Sequence, residues 1–198
     1  MRIAALGVAL LTIVGSSTLA AQNANPWLIR ARGVALVPDA SSSPSGLDVK
    51  ANGTAEIDIT RFLNRSFALE LILASSGHEV TSRGTGGETS LGAVNVLPPT
   101  LLLQYHLLPE GQVRPYIGAG GNLTFFYTKT GDLEPLDLDP SASWAVQVGF
   151  DFPVSARGVF NIDAKYVDLS TDVESNGAKL FKLDVNPFII GIGFGYRF

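Results

Sequence analysis

The chain contains no cysteine, which excludes a disulfide scaffold and thiolate metal sites. It also has no basic stripe or lysine-rich tail, and its formal net charge is −4. Nucleic acid is therefore not an expected partner. Long apolar runs are missing as well. Beyond residue 20 no stretch approaches the ~20 consecutive apolar residues of a membrane-spanning helix, although 46% of the chain is hydrophobic. Residues that are so abundant and never contiguous must be dispersed by alternation, the diffuse signal of membrane barrel strands.

What is present agrees. From Phe188 to Phe198 one row reads Phe188, Ile190, Ile192, Phe194, Tyr196 and Phe198. The other reads Ile189, Gly191, Gly193, Gly195 and Arg197. Successive strand side chains point to opposite faces, so one face is apolar and aromatic while the other is small with a single charge. That suits a lipid-facing strand whose other side lines a narrow lumen.

At the amino end, Met1-Arg2, an apolar stretch from Ile3 to Val14 and the small residues around Ala20-Ala21 have the layout of a secretory signal peptide. Residues 1–20 are expected to be removed, which takes the net charge to −5 by loss of Arg2. Residues 21–198 then form one domain.

Eight strand-like segments follow, at 27–37, 53–63, 66–74, 96–108, 114–127, 142–152, about 160–166 and 188–198. Eleven residues at ~3.3 Å each, tilted by about 45°, cross roughly 25 Å, the height of an outer membrane apolar band. The connections at 38–52, 75–95, 128–141 and 170–184 are long; those at 64–65, 109–113 and 153–158 are short. The expected fold is all-β: an eight-stranded antiparallel up-and-down transmembrane β-barrel with four long extracellular loops. A soluble lipocalin-like barrel would carry polar outward rows, and these are apolar.

Parity sends Arg30, Arg32, Glu56, Asp58, Glu70, Gln104, His106, Gln147, Asp151, Asn161, Asp163, Lys165 and Arg197 to the lumen. An eight-stranded interior is just wide enough for side chains to fill. Charges of both signs should pair there, because an isolated buried charge is very costly. Val34, Leu36, Ile72, Ala74 and Leu102 line the upper half, leaving room for an apolar ligand above a charged lower half. Trp27, Trp144, Tyr116, Tyr166, Tyr196 and Phe198 read as interface anchors.

Catalytic, cofactor and metal sites are not expected. His106 belongs near one end of its strand. His78 stands in a long connection beside Ser75, Ser76 and Glu79, as in solvated turns. The acids Asp132, Glu134, Asp137 and Asp139 lack calcium-loop spacing.

Specific words go further. LPPTLLLQYHLLP at 97–109, RPYIGAGGNLTFFY at 114–127 and NPFIIGIGFGYRF at 186–198 resemble the outer-membrane protein W (OmpW) family, with WLIRARGVALVPD, WAVQVGFDFPV and NIDAKYVDLSTDV in matching order. The resemblance covers the whole chain after the signal peptide. It implies a narrow outer membrane channel for passive entry of small hydrophobic molecules, surrounded by outer membrane lipids. Family members narrow the lumen with large apolar residues; the matching positions here are Ile72 and Lys165, and the cation departs from that pattern. The alternative is a non-transporting surface barrel whose loops dock ligands, phage or toxins. Resemblance to other barrels also makes Phe194, Tyr196 and Phe198 the expected signal for the barrel-insertion machinery. A monomer is expected.

Overall fold

The computed structural model describes residues 26–37, 41–43, 47–49, 52–84, 87–175 and 178–198. The expected signal peptide at 1–20 and Pro38 lie outside the described residues. Among those residues there are fifteen strands: β1 Trp27–Val37, β2 Ser41–Ser43, β3 Leu47–Val49, β4 Asn52–Phe62, β5 Phe67–Ala74, β6 Ser76–Gly84, β7 Gly87–Leu97, β8 Thr100–His106, β9 Arg114–Lys129, β10 Asp137–Leu138, β11 Ser141–Pro153, β12 Gly158–Val167, β13 Ser170–Ser175, β14 Ala178–Asp184 and β15 Phe188–Arg197. A 3-10 turn covers Gly131–Leu133.

Eight strands close an antiparallel barrel in the order β1-β4-β5-β8-β9-β11-β12-β15, and β15 pairs back onto β1. Strict alternation in the sequence becomes strict alternation of environment. Every second residue of β1 from Leu28 to Val34 is buried and its neighbours are exposed, and β8 alternates throughout. The exposed row is apolar, with Ile57 at 54%, Leu101 at 54%, Ile192 at 55% and Phe194 at 65% exposure. An apolar outer belt of this extent is a surface for lipid, and water would leave it unsatisfied.

Three tight turns gather at one end. Asn64 Oδ1 accepts from the backbone N–H of Ser66 and Phe67, both at 2.8 Å; Ser155 Oγ accepts from Gly158 N at 2.7 Å. The two ends of the barrel chain are clasped there, Phe198 N donating to Trp27 O at 2.9 Å. Aromatic pairs ring the same end: Phe67 with Tyr105 at 5.1 Å and Phe160 with Phe194 at 5.2 Å between centroids. Trp144 and Tyr166 form a second contact toward the opposite end, at 5.5 Å. These positions suit interface anchoring, and Tyr116 departs from the expectation. It is fully buried in the lumen.

The opposite end, called the rim, differs from the expected loops. The connections at 75–95 and 170–184 carry strands of their own. β6 and β7 form a hairpin that pairs with β3 on one side and β9 on the other. A second sheet runs β10-β13-β14-β2. The 16 residues of β9 extend to roughly 54 Å at ~3.4 Å each, so the wall rises well above the apolar belt. Nor does the expected strand at 96–108 run through. Pro98 and Pro99 have no N–H to donate, and they separate β7 from β8. No rung is formed between residues 73–75 and 97–99, although Ser76↔Val96 and Ile72↔Thr100 pair on either side.

Candidate functional site

The lumen is divided by level. At the turn end Leu28, Phe62, Ala68 and Val159 pack into an apolar layer, with His106 between the rings of Phe62 and Tyr116 at 5.0 and 5.1 Å. Arg197 lies over Phe62, 4.2 Å from the ring centroid.

Above this layer is the charged plug. Arg30 reaches Asp58 at 3.0 Å, Glu70 at 2.5 Å and Asp151 at 3.3 Å. Arg32 reaches Glu56 and Asp58 at 2.8 Å, with Glu70 and Asp163 at 3.0 Å. Lys165 bridges Glu56 and Asp163, both at 2.8 Å. Amides complete the network: Gln104 donates to Glu70 and Gln147, Gln147 to Asp163, and Asn161 to Asp151. All of these side chains are buried. Guanidinium groups each shared among several carboxylates, together with amide crosslinks, are what allow so many charges to leave water together.

Local sequence explains how the arginines fit. The middle of the inward row of β15 is glycine at 191, 193 and 195, and a Cβ at Gly195 would stand 2.6 Å from Arg30 Cγ. Opposite, Gly149 leaves room for the Tyr116 ring, whose hydroxyl accepts from Asn161 at 3.0 Å.

Above the plug the character reverses. A cavity of about 410 Å³ opens toward the rim, with Glu56 and Lys165 among its lining. Ile72, Leu102, Ala145, Val167 and Leu169 cluster at its base. Val34 and Leu36 belong to the lower wall, and Val80, Val94 and Val96 to the upper. A few hydroxyls and Asn122 interrupt this surface, Asn122 donating to Thr100 Oγ1 at 2.7 Å.

The structure brings Arg30, Arg32, Glu56, Asp58, Glu70, Gln104, Asp163 and Lys165 into one network. His106 joins it through Gln104, at 3.2 Å, and through the Tyr116 ring. Val34, Leu36 and Ile72 line the cup, while Leu102 stands in the cluster at its base. Phe194, Tyr196 and Phe198 are exposed on the outer face. His78 is corrected: it sits in β6, buried, with Nε2 2.8 Å from Ser76 Oγ, and lines the cup rather than a solvated turn. The upper wall was missed in the sequence because its residues fall in a connection read as a loop. The alternation of Ser76, His78 and Val80 was its one signal.

The OmpW family model matches residues 24–198. An outer-membrane protein of Sinorhizobium fredii designated y4mB is 35% identical over 185 residues, covering 88% of this chain and 80% of its own. Outer membrane protein W of Vibrio cholerae is 27% identical, with 97% of each chain covered. The crystal structure of OprG from Pseudomonas aeruginosa superposes with a TM-score of 0.76 at 27% identity, covering 89% of this chain and 97% of OprG.

Proposed function

Since the chain belongs to the OmpW family of outer membrane barrels, we propose that it is a narrow channel for passive entry of small hydrophobic molecules. The rim faces the outside and the turn end the periplasm, the orientation usual for bacterial barrels. One observation carries the reading: an apolar cup of about 410 Å³, open to the rim, stands on a floor of paired charges. That volume falls in the range of small-molecule sites, which are mostly apolar with a few polar groups.

A solute held there has no axial way on, because the bonded charges of the plug and the packed rings beneath it stand between the cup and the pocket at the turn end. The route left is sideways. Ala74 and Pro98 line the cup beside the missing rungs at 73–75 and 97–99, so a greasy molecule passes through the wall into the bilayer. No covalent chemistry is required. The test is to fill the cup. Ala145, 1% exposed at its base, is replaced by Phe, and uptake of a small aromatic is measured in proteoliposomes. Uptake falls if the cup is the passage; undiminished uptake by folded Ala145→Phe contradicts the cup as the passage, whereas absent uptake by the folded unsubstituted protein favours a non-transporting surface barrel.

A further inference from the structure

We infer that the cup discriminates by head group: it takes apolar molecules ending in a cation or hydrogen-bond donor, such as alkylamines and alcohols, and rejects carboxylates. This rests on the proposed reading of the cup as a binding site and adds the class of molecule it prefers.

The plug beneath the cup is not neutral. Arg30, Arg32 and Lys165 face Glu56, Asp58, Glu70, Asp151 and Asp163, three cations against five carboxylates. The sign survives protonation of any one acid. Arg114 and Arg197 offset the excess from the wrong side, since both line the turn-end pocket with Phe62 and His106. Glu56 and Lys165 line the cup, and Asp58 and Glu70 are shared beneath them between Arg30 and Arg32, so the excess of two carboxylates belongs to the plug as a whole. Among the described residues, the charged ones lining the cup itself are the acids Glu56 and Asp132 and the base Lys165.

Acceptors are in surplus there as well. Arg32 and Lys165 both meet Glu56 through Oε1, and this carboxylate lines the cup, where a donor arriving from above would meet it. Asp163 Oδ1 is buried without a hydrogen-bond partner. The plug's spare donor, Arg32 Nε, does not alter the charge count. An ammonium or hydroxyl at the floor, with its alkyl tail among Ile72, Val34 and Val167, would meet the Glu56 carboxylate, above a plug in which Asp163 Oδ1 adds uncompensated negative charge. A carboxylate would meet like charge in a poorly hydrated site, where repulsion is weakly screened.

The experiment is calorimetric titration of the mature protein in nanodiscs with hexanol, hexylamine and hexanoate at neutral pH, corrected by protein-free discs. The alcohol and amine are expected to bind, with hexanoate weaker than the amine on the order of tenfold or more. Glu56→Gln is expected to narrow that gap; should the variant not fold, the wild-type series decides alone. Hexanoate binding as tightly as hexylamine, with hexanol bound, overturns the charge inference and leaves the cup reading standing. Failure of all three to bind folded protein overturns the cup reading, and this inference with it.

Discussion

Tyr116 occupies the space that Gly149 leaves open. The two residues are register partners across β9 and β11, and a Cβ on residue 149 would fall against the phenol ring. Gly149→Val should therefore expel the ring, separate its hydroxyl from Asn161 and overpack the lumen. A loss of about 1–3 kcal/mol is expected for such overpacking, read as a lower midpoint in the heat-modifiability assay. An unchanged midpoint would show that the ring has somewhere else to go.

The plug predicts a larger loss. Arg30 is fully buried among Asp58, Glu70 and Asp151. Arg30→Ala should cost about 3–5 kcal/mol, because breaking a buried pair leaves its acids uncompensated. Denaturant titration of the refolded barrel checks this. A shift no larger than that of an exposed substitution such as Arg65→Ala, whose pair with Glu110 is solvated, would mean the network contributes little.

The outer face predicts an asymmetry. Leu71 is 40% exposed on the lipid side, paired with Ile59 and Leu101. Leu71→Arg should cost about 2–4 kcal/mol near the midplane of the bilayer, while Leu71→Ala should be far milder. Equal tolerance of both in lipid would contradict the lipid-facing assignment.

How much of this was legible depended on contrast within each strand. The plug could be read from sequence because Arg30, Arg32, Glu56 and Asp58 alternate with Ala31, Ile57 and Ile59, so parity alone sends the charges inward. Tyr116 was misplaced because β9 lacks that contrast at its start: Tyr116 and Ile117 are both apolar enough to face lipid. What decides between them is Gly149 on another strand, a tertiary fact. The rim strands were hidden for a related reason. Ser, Thr and Gly fill five of the nine positions of β6 and three of the first four of β7, as they fill loops, and pairing with β3 and β9 makes them wall. The missing rungs were foreshadowed by Pro98, since proline cannot donate to a ladder.

Assembly supplies a further expectation. Phe194, Tyr196 and Phe198 stand exposed along β15, and Phe198 is clasped to Trp27 by backbone hydrogen bonds. Deleting Phe198 should leave secretion intact and reduce the folded, heat-modifiable form in outer membranes. Insertion at the normal level would remove these aromatics as an assembly signal.

The central claim is a lumen closed to ions beneath an apolar cup that admits greasy solutes, and it is tested most directly by measuring both properties on one preparation. Reconstituted protein is divided between single-channel recording and uptake of a small alkane or aromatic into vesicles. The account predicts solute uptake with no large, steady ion current. A steady current of porin size would show an open water-filled pore, and absent uptake by folded protein would show that the cup is not a passage; either result contradicts it.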